Sequence, residues 1–364
     1  MEAKKKVMVG MSGGVDSSTA AALLIDEGYE VYGATLKLWD SPNDCDKPMT
    51  RTCCSLEDVE DARASAFKLG IPFYVLNMKQ LFEEKVVNYF VDSYLGGITP
   101  NPCIACNRYI KFEAMLNKAR ALGMDYIATG HYARIEYNEK SDRYILKKAK
   151  DLSKDQSYVL YMLTQDQLKR LLLPLGEYSK AEVRAIAEKK DLVNAKKPDS
   201  QDICFVANGK YTDFIKKYRG IDFPEGVYLD KKGNVIGKNK GMINYTIGQR
   251  KGLGMSFSEP KYVISKDSKN NTVTLGSKVE GMVNSLIAED MNYILYEKPR
   301  EEKAVMARTR YSQKEAPAKL IALENDRAKI VFDTPIAFVA PGQSVVLYEG
   351  DLVVGGGIIS ETQS

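Results

Sequence analysis

The sequence predicts an α/β fold: a Rossmann-like N-terminal domain on a parallel sheet, then a small β-rich central domain and a C-terminal β-barrel. Three observations predict it. Strand-like and helix-like patterns alternate up to about residue 205, the rhythm of a parallel sheet covered by helices on both faces. A Gly/Ser-rich turn, Gly10 to Ser18, joins the first strand to the first helix. Beyond residue 208 short β-type segments and turn signals recur at hairpin spacing, which suits small barrels. The expected domains are 1–207, 208–281 and 282–364.

Val7–Gly10 is a short apolar strand, and Thr19–Ile25 reads as a helix. Val31–Leu38 is the second strand. Ser55-Leu-Glu-Asp58 resembles a capped helix start, continued by apolar residues at helical spacing to Leu69 and stopped by Gly70. Pro72–Leu76 is the third strand, Leu81–Leu95 a helix, and Lys111–Leu122 a helix that ends at Gly123. Tyr126–Thr129 is a strand running into Gly130-His131-Tyr132, and Ser179–Glu182 is a capping box that opens a helix to about Lys190. In the second half, Phe223–Gly226 is a turn and Lys232–Val235 a hairpin tip. Strands are expected at 263–265, 272–275, 303–309, 318–321, 329–332 and 344–348.

The 364 residues are 44% hydrophobic and 27% charged, an ordinary globular composition. No run approaches the ~20 apolar residues of a membrane span, and the N-terminal Lys4–Lys6 is followed by too short an apolar stretch for a secretory signal. A cytoplasmic protein without membrane partners is expected. A net charge of +4 is too weak by itself to argue for nucleic acid. A single histidine, His131, excludes a multi-histidine metal site. Six cysteines (Cys45, Cys53, Cys54, Cys103, Cys106 and Cys204) in a reducing compartment point to metal binding, redox work or nucleophilic chemistry rather than structural disulfides.

The strongest motif is Gly10-Met11-Ser12-Gly13-Gly14-Val15-Asp16-Ser17-Ser18. A strand, a glycine turn and a helix N-terminus cradle anionic oxygens, because the first helical N–H groups lack intrahelical acceptors and the dipole favours negative charge. Gly13 and Gly14 permit close approach, Ser12, Ser17 and Ser18 add hydroxyl donors, and Asp16 suits such a site if it holds magnesium. The loop has no lysine, so it is not a Walker A sequence. The plainer reading is a capped turn before a core helix.

Pro100-Asn101-Pro102-Cys103-Ile-Ala-Cys106-Asn-Arg108 is the second motif. The prolines predict a stiff, extended, exposed loop with a helix starting near Lys111. Cys106 is then near a helix N-terminus and two cations, the surroundings of a reactive thiolate. A zinc knuckle or plain surface CxxC is the competing reading. Cys204, in Pro198–Phe205, is either a small buried hydrophobe or a reactive thiol on a polar loop.

The Gly10–Ser18 loop resembles the SGGxDS loop of the ATP pyrophosphatases, which cleave ATP to AMP and pyrophosphate. Together with Asn101–Asn107, Thr129–Tyr132, Lys154–Gln156, Asp199–Phe205 and Thr246–Gly254, it is similar over nearly the whole chain to the bacterial tRNA-specific 2-thiouridylases of that superfamily. The resemblance implies an N-terminal PP-loop domain and a transferase that adenylates the C2 oxygen of uridine at wobble position 34, then replaces it with sulfur. It implies ATP and Mg2+ as cofactors, with Gly10–Ser17, Leu36 and Gly130 at the nucleotide and Asp16 at the metal. It implies Cys204 as the persulfide carrier, supplied by a sulfur relay protein or cysteine desulfurase, and Cys106 as the nucleophile, the two ending as a disulfide. Asn101, Pro102, Cys103, Lys154, Asp155, Gln156, Arg310 and Tyr311 would contact tRNA at the anticodon stem-loop of the Lys, Glu and Gln type. Tyr132 or Tyr311 would stack on bases, and His131 is a candidate acid or base. Some members have Asp where this chain has Cys103, so Cys103, Cys106 and Cys204 could instead hold a 4Fe–4S cluster with a sulfur ligand as donor. An amidotransferase-type synthetase and a non-catalytic nucleotide-binding RNA module are the alternatives of other classes.

Overall fold

The structure is a computed structural model that describes residues 3–39, 56–198, 203–206 and 210–364. Cys45, Cys53, Cys54 and the Ser55 helix cap lie outside the described residues, as does part of the Asp199–Phe205 motif. The chain forms two compact units. The first comprises Met1–Val87, Pro102–Gly209 and Asp351–Val353; the second comprises Asn88–Asn101, Lys210–Gly350 and Val354–Ser364.

The first unit begins with β1 (Lys6–Gly10), α1 (Val15–Asp26), β2 (Glu30–Lys37), α2 (Leu56–Lys68) and β3 (Phe73–Asn77). Then comes α3 (Lys79–Phe82), which continues into a π turn over Glu83–Val87; Asn88–Leu95 (α4) belongs to the second unit. The first unit resumes with α5 (Pro102–Ala105), a π-helical stretch over Cys106–Ala114, and α6 (Met115–Ala121). β4 (Tyr126–Thr129), the hairpin of β5 (Ala133–Asn138) and β6 (Arg143–Lys148), α7 (Gln165–Lys169), β7 (Leu171–Leu172) and α8 (Lys180–Lys189) follow.

Its sheet has the order β3-β2-β1-β4-β7, and every pairing is parallel. Val7, Met8 and Val9 are fully buried, as expected of a strand covered on both faces. Ala20, Ala21 and Ala22 are buried too; their small side chains let α1 lie close to the sheet. The order steps from β1 to β2 and β3, then reverses to place β4 on the other side of β1. Such a reversal opens a crevice at the carboxyl ends of the two central strands.

Three sequence expectations needed correction here. The loop around Cys103 and Cys106 is not extended: the helix starts at Pro102 and runs to Ala121, nine residues earlier than expected. Pro102 occupies the first helical position, where its missing N–H has no helical partner to lose and its fixed φ is already helical. The helix expected over Leu81–Leu95 is broken by the π turn. The β5–β6 hairpin, in register from Ala133↔Lys148 to Asn138↔Arg143, was not anticipated. The capping box at α8 forms as read: Ser179 Oγ accepts from the Glu182 N–H and Glu182 accepts from the Ser179 N–H at 2.7 Å.

The second unit holds α4 and α9 (Tyr211–Arg219), a helix hidden from the β-dominated reading of that region. It continues with β8 (Gly226–Leu229), β9 (Val235–Asn239), β10 (Tyr262–Asp267) and β11 (Thr272–Gly276), a sheet of order β10-β11-β8-β9 around Tyr228, Val263 and Val273. The last strands are β12 (Met282–Tyr293), β13 (Lys303–Arg308), β14 (Ala316–Ala322), β15 (Ala328–Ala337), β16 (Ser344–Glu349) and β17 (Leu352–Gln363). They run in the order β12-β15-β14-β13-β16-β17, and β12 also pairs with β17, closing a six-stranded barrel. Closure leaves no edge strand exposed. The longest strands are β12 and β17, and neither is expected from the sequence: glycines at 355–357 and polar residues along β12 mask their alternation.

Candidate active site

The Gly10–Ser18 loop lies at the switch point between β1 and β4. Met11 N–H donates to the Ala34 carbonyl at 2.8 Å, and Thr35 Oγ1 donates to the Met11 carbonyl at 2.7 Å, so β2 fixes the loop's first residue. Ser17 Oγ accepts from the Ser12 N–H at 3.1 Å and donates to the Gly14 carbonyl at 3.1 Å. Asn194 Nδ2 donates to the Gly13 carbonyl at 3.1 Å and to Ser18 Oγ at 2.9 Å. Two of the three serines expected as ligand donors are therefore spent on shaping the loop, and Ser12 is the exposed one. Met11 and Val15 have buried side chains; only their backbone can meet a ligand.

Two glycines are required by geometry. Gly13 has φ +74°, and a Cβ there would lie 2.4 Å from the Asp58 carbonyl oxygen. Gly130, just past β4, passes so close to the start of α1 that a Cβ would lie 2.8 Å from both Asp16 C and Ser17 N. Between these elements lies a cavity of about 230 Å³, lined by Gly10, Ser12, Asp16, Leu36, Gly130 and Gln156 among others. Lys111, from the π-helical stretch, and His131 also line it.

Asp16 departs from the metal-ligand expectation. Lys180 Nζ, at the first position of α8, lies 2.7 and 2.9 Å from its two carboxylate oxygens, and Tyr132 OH donates to Oδ1 at 2.7 Å. The Asp16 carboxylate is thus paired with an ammonium, and a magnesium ion there would share it with Lys180 and take its other ligands from the nucleotide phosphates. Lys180 was legible only as part of a capping box, because nothing in the sequence links it to a loop 164 residues earlier. Tyr132 is corrected as well: its ring is buried beneath Lys180 Nζ at 5.8 Å from the centroid and is not open for base stacking. His131 shares Nδ1 with Thr129 Oγ1 at 2.8 Å. Burial, and next the charge of Lys111, hold its pKa well below the ordinary imidazole value. It is neutral at pH 7, so any proton transfer by it starts as a base.

The thiols lie elsewhere in the same unit. Cys103 is exposed in the first turn of the long helix, and Cys106, one turn on, is buried. Cys204 is half-buried in a turn closed by Val206 N–H on the Ile203 carbonyl at 3.0 Å. None of the three is in a disulfide. The next residue, Phe205, is buried edge-on against Phe82 of α3, with ring centroids 5.6 Å apart. The π turn that continues α3 packs on α5, and α3 itself packs on the Cys106–Ala114 stretch. The two thiol-bearing segments thus share one support. They do not converge with Cys103 into a metal-holding group, so the 4Fe–4S arrangement does not fit this structure and no step is derived through it.

The residues expected at tRNA divide. Asp155 is buried and accepts from the Ala149 and Ser157 N–H groups and from Ser157 Oγ; it holds a turn rather than facing a ligand. Gln156 Oε1 accepts from Tyr132 N–H at 2.9 Å while the residue lines the cavity. Lys154 is half-buried on that turn. Pro102 is buried and Asn101 half-buried; in the second unit, Gln343 Nε2 fixes the Thr99 carbonyl just before it at 2.8 Å. Arg310 spends one nitrogen on the Ile247 carbonyl at 2.7 Å, and Tyr311 is exposed with the Arg308 guanidinium 5.3 Å from its ring centroid.

Three family profiles match in succession: "tRNA methyl transferase HUP domain" over residues 5–208, "tRNA methyl transferase PRC-barrel domain" over 212–277 and "Aminomethyltransferase beta-barrel domain" over 283–359. The tRNA-specific 2-thiouridylase MnmA of Acetivibrio thermocellus is 54% identical over 98% of this chain and 99% of its own length. The chain belongs to the MnmA family. The MnmA of Clostridioides difficile is 51% identical over 98% of this chain and 99% of its own, and that of Caldicellulosiruptor saccharolyticus 52% identical over the same shares. The MnmA family assignment thus covers all three parts of the fold: the parallel-sheet HUP domain, the PRC-barrel and the closed barrel. Among the described residues no helix is long and apolar enough to cross a membrane.

Proposed function

We infer that the chain is an ATP-dependent tRNA uridine 2-sulfurtransferase. The single observation that carries this reading is the pairing, within one unit, of a built anion cradle at the β1–β4 crevice with two thiol segments on a shared support. In the proposed course, ATP places its β- and γ-phosphates against the Gly10–Ser17 backbone amides, with the adenosine beside Leu36 and Gly130. The wobble uridine leaves the anticodon stack, at a cost of a few kcal/mol that is least in a single-stranded loop. Its O2 attacks the α-phosphorus, the α–β bond breaks, and pyrophosphate leaves. A carbonyl oxygen, a poor leaving group, has become part of AMP.

The terminal sulfur of a Cys204 persulfide then attacks C2 and AMP departs. Cys106 attacks the Cys204 sulfur, breaking its bond to the transferred sulfur, which stays on the base; the enzyme is left with a Cys106–Cys204 disulfide. The α-carbons of that pair must come within about 7 Å for the step. Asp16 and Lys180 hold opposite charges beside the triphosphate path, and Lys180 supplies the cation that this loop, unlike a Walker A sequence, lacks. Magnesium would enter with ATP. Tyr311 and Lys154 serve tRNA binding, and a sulfur relay protein or cysteine desulfurase reloads Cys204 in the cytoplasm.

Nucleoside mass spectrometry of tRNA from a strain lacking the protein tests the reading. Loss of 2-thiouridine at position 34 is expected, and unchanged 2-thiouridine refutes it. Pyrophosphate formation that requires tRNA separates this activity from a nucleotide-binding module without catalysis.

A further inference from the structure

We propose that Cys103 is a resolving thiol: it takes over the disulfide from Cys204 and so resets the enzyme from within the same helix. The inference rests on the proposed Cys106–Cys204 step. Cys103 and Cys106 stand three residues apart in one helical run, Cys103 in its first turn and exposed, Cys106 one turn deeper and buried. Residues i and i+3 of a helix have Cβ atoms about 5–6 Å apart, and disulfides form at Cα separations of about 4.4–6.8 Å with Cβ atoms about 3.5–4.5 Å apart. A tightening of roughly 1–2 Å in a first turn that carries only part of the helical hydrogen bonds closes that gap. The hydrogen-bond pattern widens to a π-helix at Cys106 itself, so the turn that must tighten is set apart from the regular helix that follows.

Burial makes the pairing useful. A Cys106–Cys204 disulfide has one sulfur on a residue that is only 7% exposed, where a protein reductant has poor access. The Cys103 thiolate attacks the Cys106 sulfur, the Cys106–Cys204 bond breaks, and Cys204 leaves as a thiolate. One disulfide is exchanged for another, so no net oxidation occurs. Cys103 gives its proton to solvent and Cys204 is ready to accept a new persulfide sulfur. The Cys103–Cys106 disulfide now has an exposed sulfur, and an external dithiol reductant converts it to two thiols while becoming oxidised itself.

The test is a disulfide map of the full-length protein after one turnover. Persulfide-loaded enzyme is mixed with ATP and substrate tRNA without reductant, quenched in acid, alkylated and mapped by peptide mass spectrometry, with each disulfide counted per thiouridine formed. Wild type is expected to show Cys103–Cys106 and alkylated Cys204, and Cys103→Ser to show Cys106–Cys204. Wild type with Cys106 joined to Cys204 and Cys103 alkylated overturns the proposal. Thiouridine formed with no disulfide at Cys106 in either protein overturns the underlying persulfide reading and the proposal with it. In multiple turnover with a protein dithiol, the ratio of steady rate to burst in Cys103→Ser is expected to fall at least tenfold and to recover with a small dithiol. A ratio equal to wild type overturns the proposal.

Discussion

In the nucleotide cleft, nearly every polar group already has a fixed partner: Met11 on Ala34, Ser12 on Ser17, Gly13 on Asn194, Asp16 on Lys180. At the thiol segments the reacting groups are spread from exposed to buried over two elements that share the α3 support. The comparison separates two demands. Transition-state charge on a transferring phosphoryl group is stabilised by donors that need no reorganisation. Sulfur transfer requires each thiol to meet several partners in turn, and a site closed around one of them would exclude the others.

The largest effect is expected at Gly130. Gly130→Ala drives a Cβ into the backbone of Asp16 and Ser17, and displacement of the cradle by even ~1 Å costs about 100-fold in rate. Gly10→Ala meets the flexible end of Met115 at 3.3 Å and the Ala128 carbonyl oxygen at an ordinary 3.7 Å, and should lose far less activity. Pyrophosphate release by the two variants measures the contrast; equal losses would show that the loop is not held rigidly.

Next in size is the ion pair. Asp16→Asn leaves the Lys180 ammonium, 13% exposed, without its carboxylate. A fall of about 10- to 100-fold in tRNA-dependent pyrophosphate release, the worth of one charged hydrogen bond, is expected with tRNA affinity unchanged. If tRNA affinity drops in step, the cleft and the tRNA surface are not separate. Asn194→Ala removes two hydrogen bonds from the loop and should lower unfolding stability by about 1–2 kcal/mol and raise the KM for ATP, read by denaturant melts and initial rates.

The smallest effect concerns His131. Its folded pKa lies below the unfolded value because burial, then Lys111, penalise the imidazolium. As pH falls below about 6.5 the unfolded chain takes up a proton that the folded chain refuses. Stability present above that pH therefore declines through the window beneath it, by up to about 1.4 kcal/mol per pH unit. His131→Gln should flatten that decline in melts between pH 7.5 and 5. As the chain's one histidine, His131 gives a single imidazole signal by NMR, which should stay in the neutral position at pH 6.5.

The cleft was the more legible region because its signals are local. A strand, glycines and a helix start lie within nine residues, and steric rules act on neighbours in sequence. Gly130 was found through its motif, yet the reason for it, an approach to Asp16 C, is tertiary. Lys180, Asn194 and the Tyr132 hydroxyl were missed as cleft residues because each reaches the loop from more than 100 residues away and looks like a cap, a turn or a core aromatic. The Cys103–Cys106 segment differs in conformation from its sequence signal: two closely spaced prolines suggest an extended chain, yet Pro102 starts a helix. In the second unit the closed barrel was expected from turn spacing, but its longest strands were hidden, since glycine-rich β17 lacks the alternation that marks a strand.

In the proposed reaction one chain activates uridine O2 at the cleft and delivers sulfur from its thiol segments. Single-turnover reaction of persulfide-loaded enzyme with ATP and unmodified tRNA, followed by nucleoside mass spectrometry and AMP quantification, tests it most directly. One 2-thiouridine per AMP formed and per persulfide consumed is expected, with neither product in the absence of tRNA. AMP formed at the same rate without tRNA, or persulfide consumed without 2-thiouridine, would contradict it.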